Sequence, residues 1–395
     1  MKKLENNHWL CFFTYFAMNF MYIYTNTYLP IYFEYVFSLE KTKLSLVLLV
    51  SYSFMFTKPI VALIIDKNEK SNKQINMKTL LMTSFFSSIV SFIIFLLEST
   101  ILPIFIIFLS INLAFISVLD VIIDKIIVQD NATNDIKDKN IFYTQLGVIV
   151  GAIMPNMYYF ITIYNKSSAN DWTVFFIIGA CSLIPFLIMV SFANLNSNSK
   201  TSIKEVSRVI PKKTMGLICL FIFLSNSSQL YNWILEPWAI GKLGSASSLF
   251  SPFMIFFIIL SAVGILVAKK KAREFDRIKT LMLVVIVDGF LISFAPYLNI
   301  ILFMFLISIT QFIIGFYYIN LTFIMINISK REVLIFQIMS IFSIAARVVF
   351  IPLGTFLSST IPAELVITIA GIMYIISAIP VYYLRNNNWI QGSEN

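Results

Sequence analysis

Between polar breaks the chain returns twelve times to apolar runs of roughly twenty residues, the length a helix needs to cross the hydrocarbon layer of a bilayer. The runs fall near 9–36, 44–66, 78–97, 101–127, 141–164 and 173–193, and again near 213–238, 248–268, 279–295, 300–328, 333–357 and 363–384. Of the 395 residues, 12% are charged and 58% hydrophobic, whereas a soluble domain carries roughly 25% charged residues. Buried helices of a soluble protein would need polar faces, and these runs have few. Lipid is therefore the main solvent, and the expected fold is an all-α membrane protein with twelve transmembrane helices.

Orientation follows from Lys and Arg, which accumulate on the cytosolic side of membrane proteins. With the N-terminus placed inside, 23 of the 29 basic residues fall in inside segments and 4 in outside loops; Lys58 and Arg347 lie within spans. Both termini are expected in the cytosol. The net charge of +9 is then a consequence of topology, and a nucleic-acid partner is rejected. Cys11, Cys181 and Cys219 sit in apolar runs, too few and too scattered for a disulfide framework. The single histidine, His8, precedes the first span, so a His-ligated metal site and a histidine proton relay are excluded. No cofactor is expected. The end Gly392-Ser393-Glu394-Asn395 reads as the stub of a linker and is set aside from fold reasoning.

The polar stretch 194–213 is the longest link and divides the chain in two: a six-helix bundle over 1–193, a linker over 194–213, a second six-helix bundle over 214–387, and a tail over 388–395. The halves echo each other. Ala62-Leu-Ile-Ile-Asp66-Lys67 follows the second span, and a basic loop leads to Lys78-Thr79. Gly264-Ile-Leu-Val-Ala268-Lys269 follows the eighth, and a basic loop leads to Lys279-Thr280. Gln145 and Gln337 open the fifth and eleventh spans. Parallel repeats about a central axis are one way transporters build a site near the bilayer midplane.

These residues resemble the major facilitator superfamily, whose loop after the second span carries a small residue, three others, then Asp and a basic residue. Ala62, Asp66 and Lys67 match, with Ala in place of Gly and a looser basic tail at Lys70 and Lys73. A finer likeness is to the folate–biopterin transporter branch: Lys58-Pro59 precedes the Ala62…Asp66 signature, and Asp120-Val121-Ile122-Ile123-Asp124 matches the Asp-Val-x-x-Asp of its fourth span. Muropeptide and acetyl-CoA carriers look similar at the fourth span but lack the Lys-Pro. The resemblance implies two pseudo-symmetric bundles in the major facilitator fold, working as a secondary transporter by alternating access. It also implies a gate at Asp66 and Lys67 that clasps the halves on the cytosolic side.

Charges inside the bilayer cost about 2.5–3.5 kcal/mol on insertion scales, so each needs a partner or a task. Lys58 and Asp120 both lie about eight residues from the cytosolic ends of their spans, roughly 12 Å deep. If the second and fourth spans adjoin, as the resemblance implies, Lys58 reaches Asp120 or Asp124. Such a bridge is either a static ion pair or an anion- and proton-responsive site. Asp124 alone, one turn nearer the interface, reads as a solvated end charge. Arg347 lies near mid-depth of the eleventh span and suits bidentate carboxylate or phosphate binding; it either faces substrate or pairs with Asp288 of the ninth. Glu34 and Glu364, at the outer ends of their spans, read as solvated.

Polar stripes at helical spacing run along three spans: Tyr15, Asn19, Tyr22 and Asn26; Ser225, Gln229, Asn232 and Glu236 with Trp233 beside them; and Gln311, Gly315, Tyr318 and Thr322. Any one stripe can serve as hydrogen-bonding glue between helices. The resemblance places the first, fourth, seventh and tenth spans around the cavity, where the stripes would be substrate contacts. Aromatic and amide groups around two cations suit a planar organic anion, pterin-like or otherwise carboxylated, with protons as a second partner and a monomer as the expected state. The alternatives are a carrier of a neutral sugar, nucleoside or drug, a non-transporting receptor or scaffold, and a channel. A membrane enzyme would need a nucleophile–base set or metal ligands, and neither is present.

Overall fold

In a computed structural model, residues 7–34, 38–70, 77–97, 102–129, 134–163, 169–192, 211–244, 249–271, 276–329 and 333–385 are described. Among them the chain is helical almost throughout and crosses the same slab twelve times. The first span starts from, and the twelfth returns to, one face of the slab; we call it the terminal face and its opposite the far face. Eight helices, including those over 41–65, 105–124, 300–329 and 335–357, are long and apolar enough to cross a membrane; Thr79–Val90 and Trp172–Ile188 are shorter apolar helices. The first and fifth spans pack along each other. A Cβ on Gly151 would collide with the Phe16 carbonyl oxygen, so the two backbones run in close contact and their polar surfaces face protein.

Packing repeats between the halves with a shift of six spans. The first span packs on the fourth, fifth and sixth, and the third packs on the fourth and sixth. Correspondingly, the seventh packs on the eleventh and twelfth, and the ninth on the tenth and twelfth. The second–fourth pair has its counterpart in the eighth–tenth pair. Between halves the second span meets the eleventh and the fifth meets the eighth, contacts that exchange under the same shift. This is the major facilitator fold, two pseudo-symmetric six-helix bundles. Most of the expected linker, 194–210, and the tail from 386 onward lie outside the described residues.

Two spans are interrupted where polar residues collect. In the first, helix Asn7–Ile23 passes through a π-helical turn, Tyr24–Tyr28, before Leu29–Tyr32. Pro30 has no N–H to give to a carbonyl four residues back. In the seventh, helix Lys212–Ser225 gives way to a 3-10 turn, Ser227–Leu230, and restarts as Leu235–Leu243. The Asn226 amide bonds back to the Ile222 carbonyl at 2.7 Å, a local bond that competes with helix propagation. Pro237 sits in the first turn of the restarted helix, where a missing N–H costs nothing. The stripe read as one face of a continuous seventh helix is therefore divided: Gln229, Asn232 and Trp233 lie in or beside the break, and Glu236 opens the second segment. Gly354 of the eleventh span lies against this break, and a Cβ there would overlap the Leu230 carbonyl oxygen.

Candidate functional site

Polar side chains link the halves at three depths. Nearest the terminal face, the Lys58 ammonium contacts Asp120 Oδ2 at 2.5 Å and Asp124 Oδ2 at 2.8 Å. The Tyr15 hydroxyl lies 3.2 Å from Asp120 Oδ1 and 3.1 Å from Asp124 Oδ1, one proton between two acceptors. Across the interface the Gln337 amide donates to Asp124 Oδ2 at 3.0 Å, and the Ser340 hydroxyl donates to Gln337 Oε1 at 3.1 Å. Asp124 is therefore buried and held from the first, second and eleventh spans, not a solvated end charge. The Asp120 side chain, at 28% exposure, is the open edge of the cluster.

At mid-depth Arg347 stacks over the Tyr22 ring of the opposite half, 4.9 Å from its centroid. Its Nε is buried without a hydrogen-bond partner, and among the described residues no carboxylate lies within ion-pair distance of the guanidinium. Tyr318, Tyr52 and Asp120 are within its electrostatic reach. Tyr318 is 48% exposed and lies within electrostatic reach of both Arg347 and Tyr22. Asp288 forms no bridge to Arg347. It is buried in the second half within reach of Tyr231, Tyr318 and Tyr374, with Oδ1 unpartnered.

Toward the far face the interrupted spans meet. The Tyr52 hydroxyl donates to Asn26 Oδ1, the Trp233 indole N–H donates to the Tyr52 oxygen at 3.1 Å, and the Asn232 amide reaches Asn26 Oδ1 at 3.4 Å. Phe33 and Trp233 close the layer with ring centroids 6.1 Å apart. The carboxyl of Glu236, three residues on, is buried with Oε2 unpartnered. On the other side of Arg347 the Lys269 ammonium caps the Phe142 ring at 3.8 Å, joining the eighth and fifth spans. The halves thus touch both above and below Arg347.

The structure brings together Lys58, Asp120 and Asp124; Tyr22, Arg347 and Tyr318; and Asn26, Gln229 and Trp233, with Gln229 Oε1 accepting from Asn232 at 3.2 Å. It does not gather all the candidates. The Asn19 amide is spent on the Val148 carbonyl at 2.5 Å, joining the first and fifth spans. Gln311 is half-buried, and its side chain makes no hydrogen bond to a described residue. Glu364 keeps partial contact with solvent, as expected at the end of its span, and is also held by Lys242 at 2.9 Å and the Trp238 indole at 3.1 Å. Glu34 is exposed. Asp66 and Lys67, the expected gate, end the second span, and their side chains lie outside the described residues. Tyr52 and the hydrogen bond of Gln337 to Asp124 were missed. Tyr52 carries no stripe signal in its own span, whereas Gln337 stood out only as the echo of Gln145.

No protein-family model matches the chain, and no curated protein matches it. Solved structures do. The fucose:proton symporter FucP of E. coli superposes with a TM-score of 0.63 at 9% identity, over 97% of this chain and 99% of that one. A bacterial homologue of the human lysosomal transporter Spinster, captured inward-facing and unoccupied, superposes with a TM-score of 0.67 at 11% identity, over 97% of each chain. The likeness runs the full length of both chains and shows a shared fold.

Proposed function

We propose that this protein is a secondary transporter that moves a small organic anion across the membrane by alternating access, with its termini in the cytosol and Arg347 as the anion-holding cation. The observation that carries the reading is the state of Arg347. A guanidinium offers five donors, and burying a charge without a partner is costly. Here it sits at mid-depth between the halves with no carboxylate at ion-pair distance and an unpartnered Nε. Lys58, by contrast, is occupied by two carboxylates. Of the two cations expected to share a substrate, only Arg347 is therefore offered to one. Tyr22 and Tyr318 flank it with aromatic surface, which suits a carboxylated ring of the pterin type better than a small inorganic anion. The full-length likeness to two transporters supports rocking of the halves about this layer.

A thermal-shift screen of the purified protein tests the reading. Folate and other carboxylated solutes should stabilise wild-type protein and lose that effect in Arg347→Ala, while fucose and nucleosides do nothing. Stabilisation by neutral solutes that survives Arg347→Ala would overturn it.

A further inference from the structure

Four described carboxyl groups lie deep in the spans: Asp120, Asp124, Glu236 and Asp288. Asp120 and Asp124 already share the Lys58 ammonium. Among the described residues no cation pairs with Glu236 or Asp288, and each leaves one oxygen without a hydrogen-bond partner. A buried carboxylate without a counter-charge is expensive, and a proton is the neutralising partner open to both.

Their surroundings separate them. Tyr231, Tyr318 and Tyr374, all in the second half, are the tyrosines within electrostatic reach of Asp288. Rocking one half against the other as rigid bodies carries these neighbours along with it. Glu236 sits at the join: Tyr28 and Tyr52 of the first half and Tyr231 of its own are within electrostatic reach. It opens a helix three residues after Trp233, whose bond to Tyr52 is part of the far-face seal. Any motion that parts that seal wets Glu236. Tyr52 also lies within reach of Tyr22 and Arg347, which ties the carboxyl to the central layer.

We infer that Glu236 carries the coupled proton in this transporter, taking it up when the far-face seal opens and releasing it after the halves rock to the terminal face. This rests on the transport reading above. The step is a protonation alone: one proton from water adds to the carboxylate, the neutral acid crosses with the closed carrier, and the same proton returns to water on the other side. Few other groups compete on the elements packed against this half-helix. On its own segment Lys242 is paired with Glu364 of the twelfth span, whose other titratable groups are Tyr374, Tyr382, Tyr383 and Arg385. The tenth span carries no charged residue and only Tyr317 and Tyr318 as titratable groups; in the eighth, Lys269, Lys270 and Lys271 stand at the opposite end. The adjoining end of the first span offers Tyr28, Tyr32 and the exposed Glu34.

Two measurements on the full reconstituted chain test this. Infrared titration needs no substrate: of the carboxylic-acid carbonyl bands that grow as pH falls, one should be lost in Glu236→Gln and kept in Glu236→Asp, Asp120→Asn and Asp288→Asn. In proteoliposomes, with folate as the first probe, uptake driven by a proton gradient should fall about tenfold or more in Glu236→Gln and be regained in Glu236→Asp. No band lost in Glu236→Gln, or the same band lost in Asp120→Asn or Asp288→Asn, overturns the assignment. Absence of uptake and exchange for every carboxylated solute in wild-type protein would sink the transport reading instead, and the infrared band would still decide the role of Glu236.

Discussion

Replacing Lys58 with Met leaves the side-chain volume nearly intact and removes the one cation that two carboxylates share, at 2.5 and 2.8 Å. Removing one partner of a buried ion pair typically costs about 3–5 kcal/mol, because the other charge stays behind uncompensated. Two features put this case at the low end. Asp120 is 28% exposed, and Asp124 keeps the Tyr15 hydroxyl and the Gln337 amide as donors. About 3 kcal/mol is therefore expected, and at roughly 2–4 °C per kcal/mol for a large domain the midpoint of thermal unfolding in detergent falls by about 6–12 °C. Pairing the change with Asp124→Asn removes the most deeply buried orphan and should restore at least half of the loss. A Lys58→Met protein that melts within a degree of wild type, or a double variant worse than the single one, would show that the cluster is wet and that its charges are not bound to one another.

Other expectations follow from the same contacts. Arg347→Lys keeps the charge but loses the planar fork, so binding of carboxylated solutes should weaken by about tenfold or more; equal affinity would remove bidentate contact from the account. Tyr52→Phe strips Trp233 of its acceptor and Asn26 of a donor, costing about 1–3 kcal/mol, and should speed hydrogen–deuterium exchange over 226–234; unchanged exchange would mean that this layer does not seal the far face. Gln337→Ala removes the bond to Asp124 and should increase labelling of sites exposed when the terminal face opens, with no gain if the halves are held elsewhere. Gly354→Val forces a branched side chain against the Leu230 carbonyl, an overpacking cost of about 1–3 kcal/mol. A neutral melting shift would contradict that close approach.

The sequence was most informative where the bilayer does the selecting. Twelve apolar runs, their ends and the two-fold grouping could be read because lipid permits almost nothing but helices at that length. Lys58, Asp120, Asp124 and Arg347 were visible because charge is rare there. What escaped was partnership. Nothing in the spacing of Asn19 says that its amide will be consumed by Val148, and nothing at Glu364 announces Lys242. Both depend on how separate helices are placed. Asp124 was misjudged as solvated because depth was counted along one helix, whereas its burial comes from Tyr15 and Gln337 on two others. The interruption of the seventh span over 226–234 carried no sign in the spacing of its polar stripe, and its consequence, an amide and an indole turned toward Asn26 and Tyr52, required the opposing half.

Saturable uptake of a radiolabelled carboxylated solute into proteoliposomes puts Arg347 to the most direct trial. Wild-type protein should accumulate folate, or whichever carboxylated solute stabilises it, with competition by unlabelled solute, and Arg347→Ala should fall to the level of empty vesicles. Accumulation of a neutral solute in its place, or equal uptake by the Arg347→Ala protein, would contradict the account.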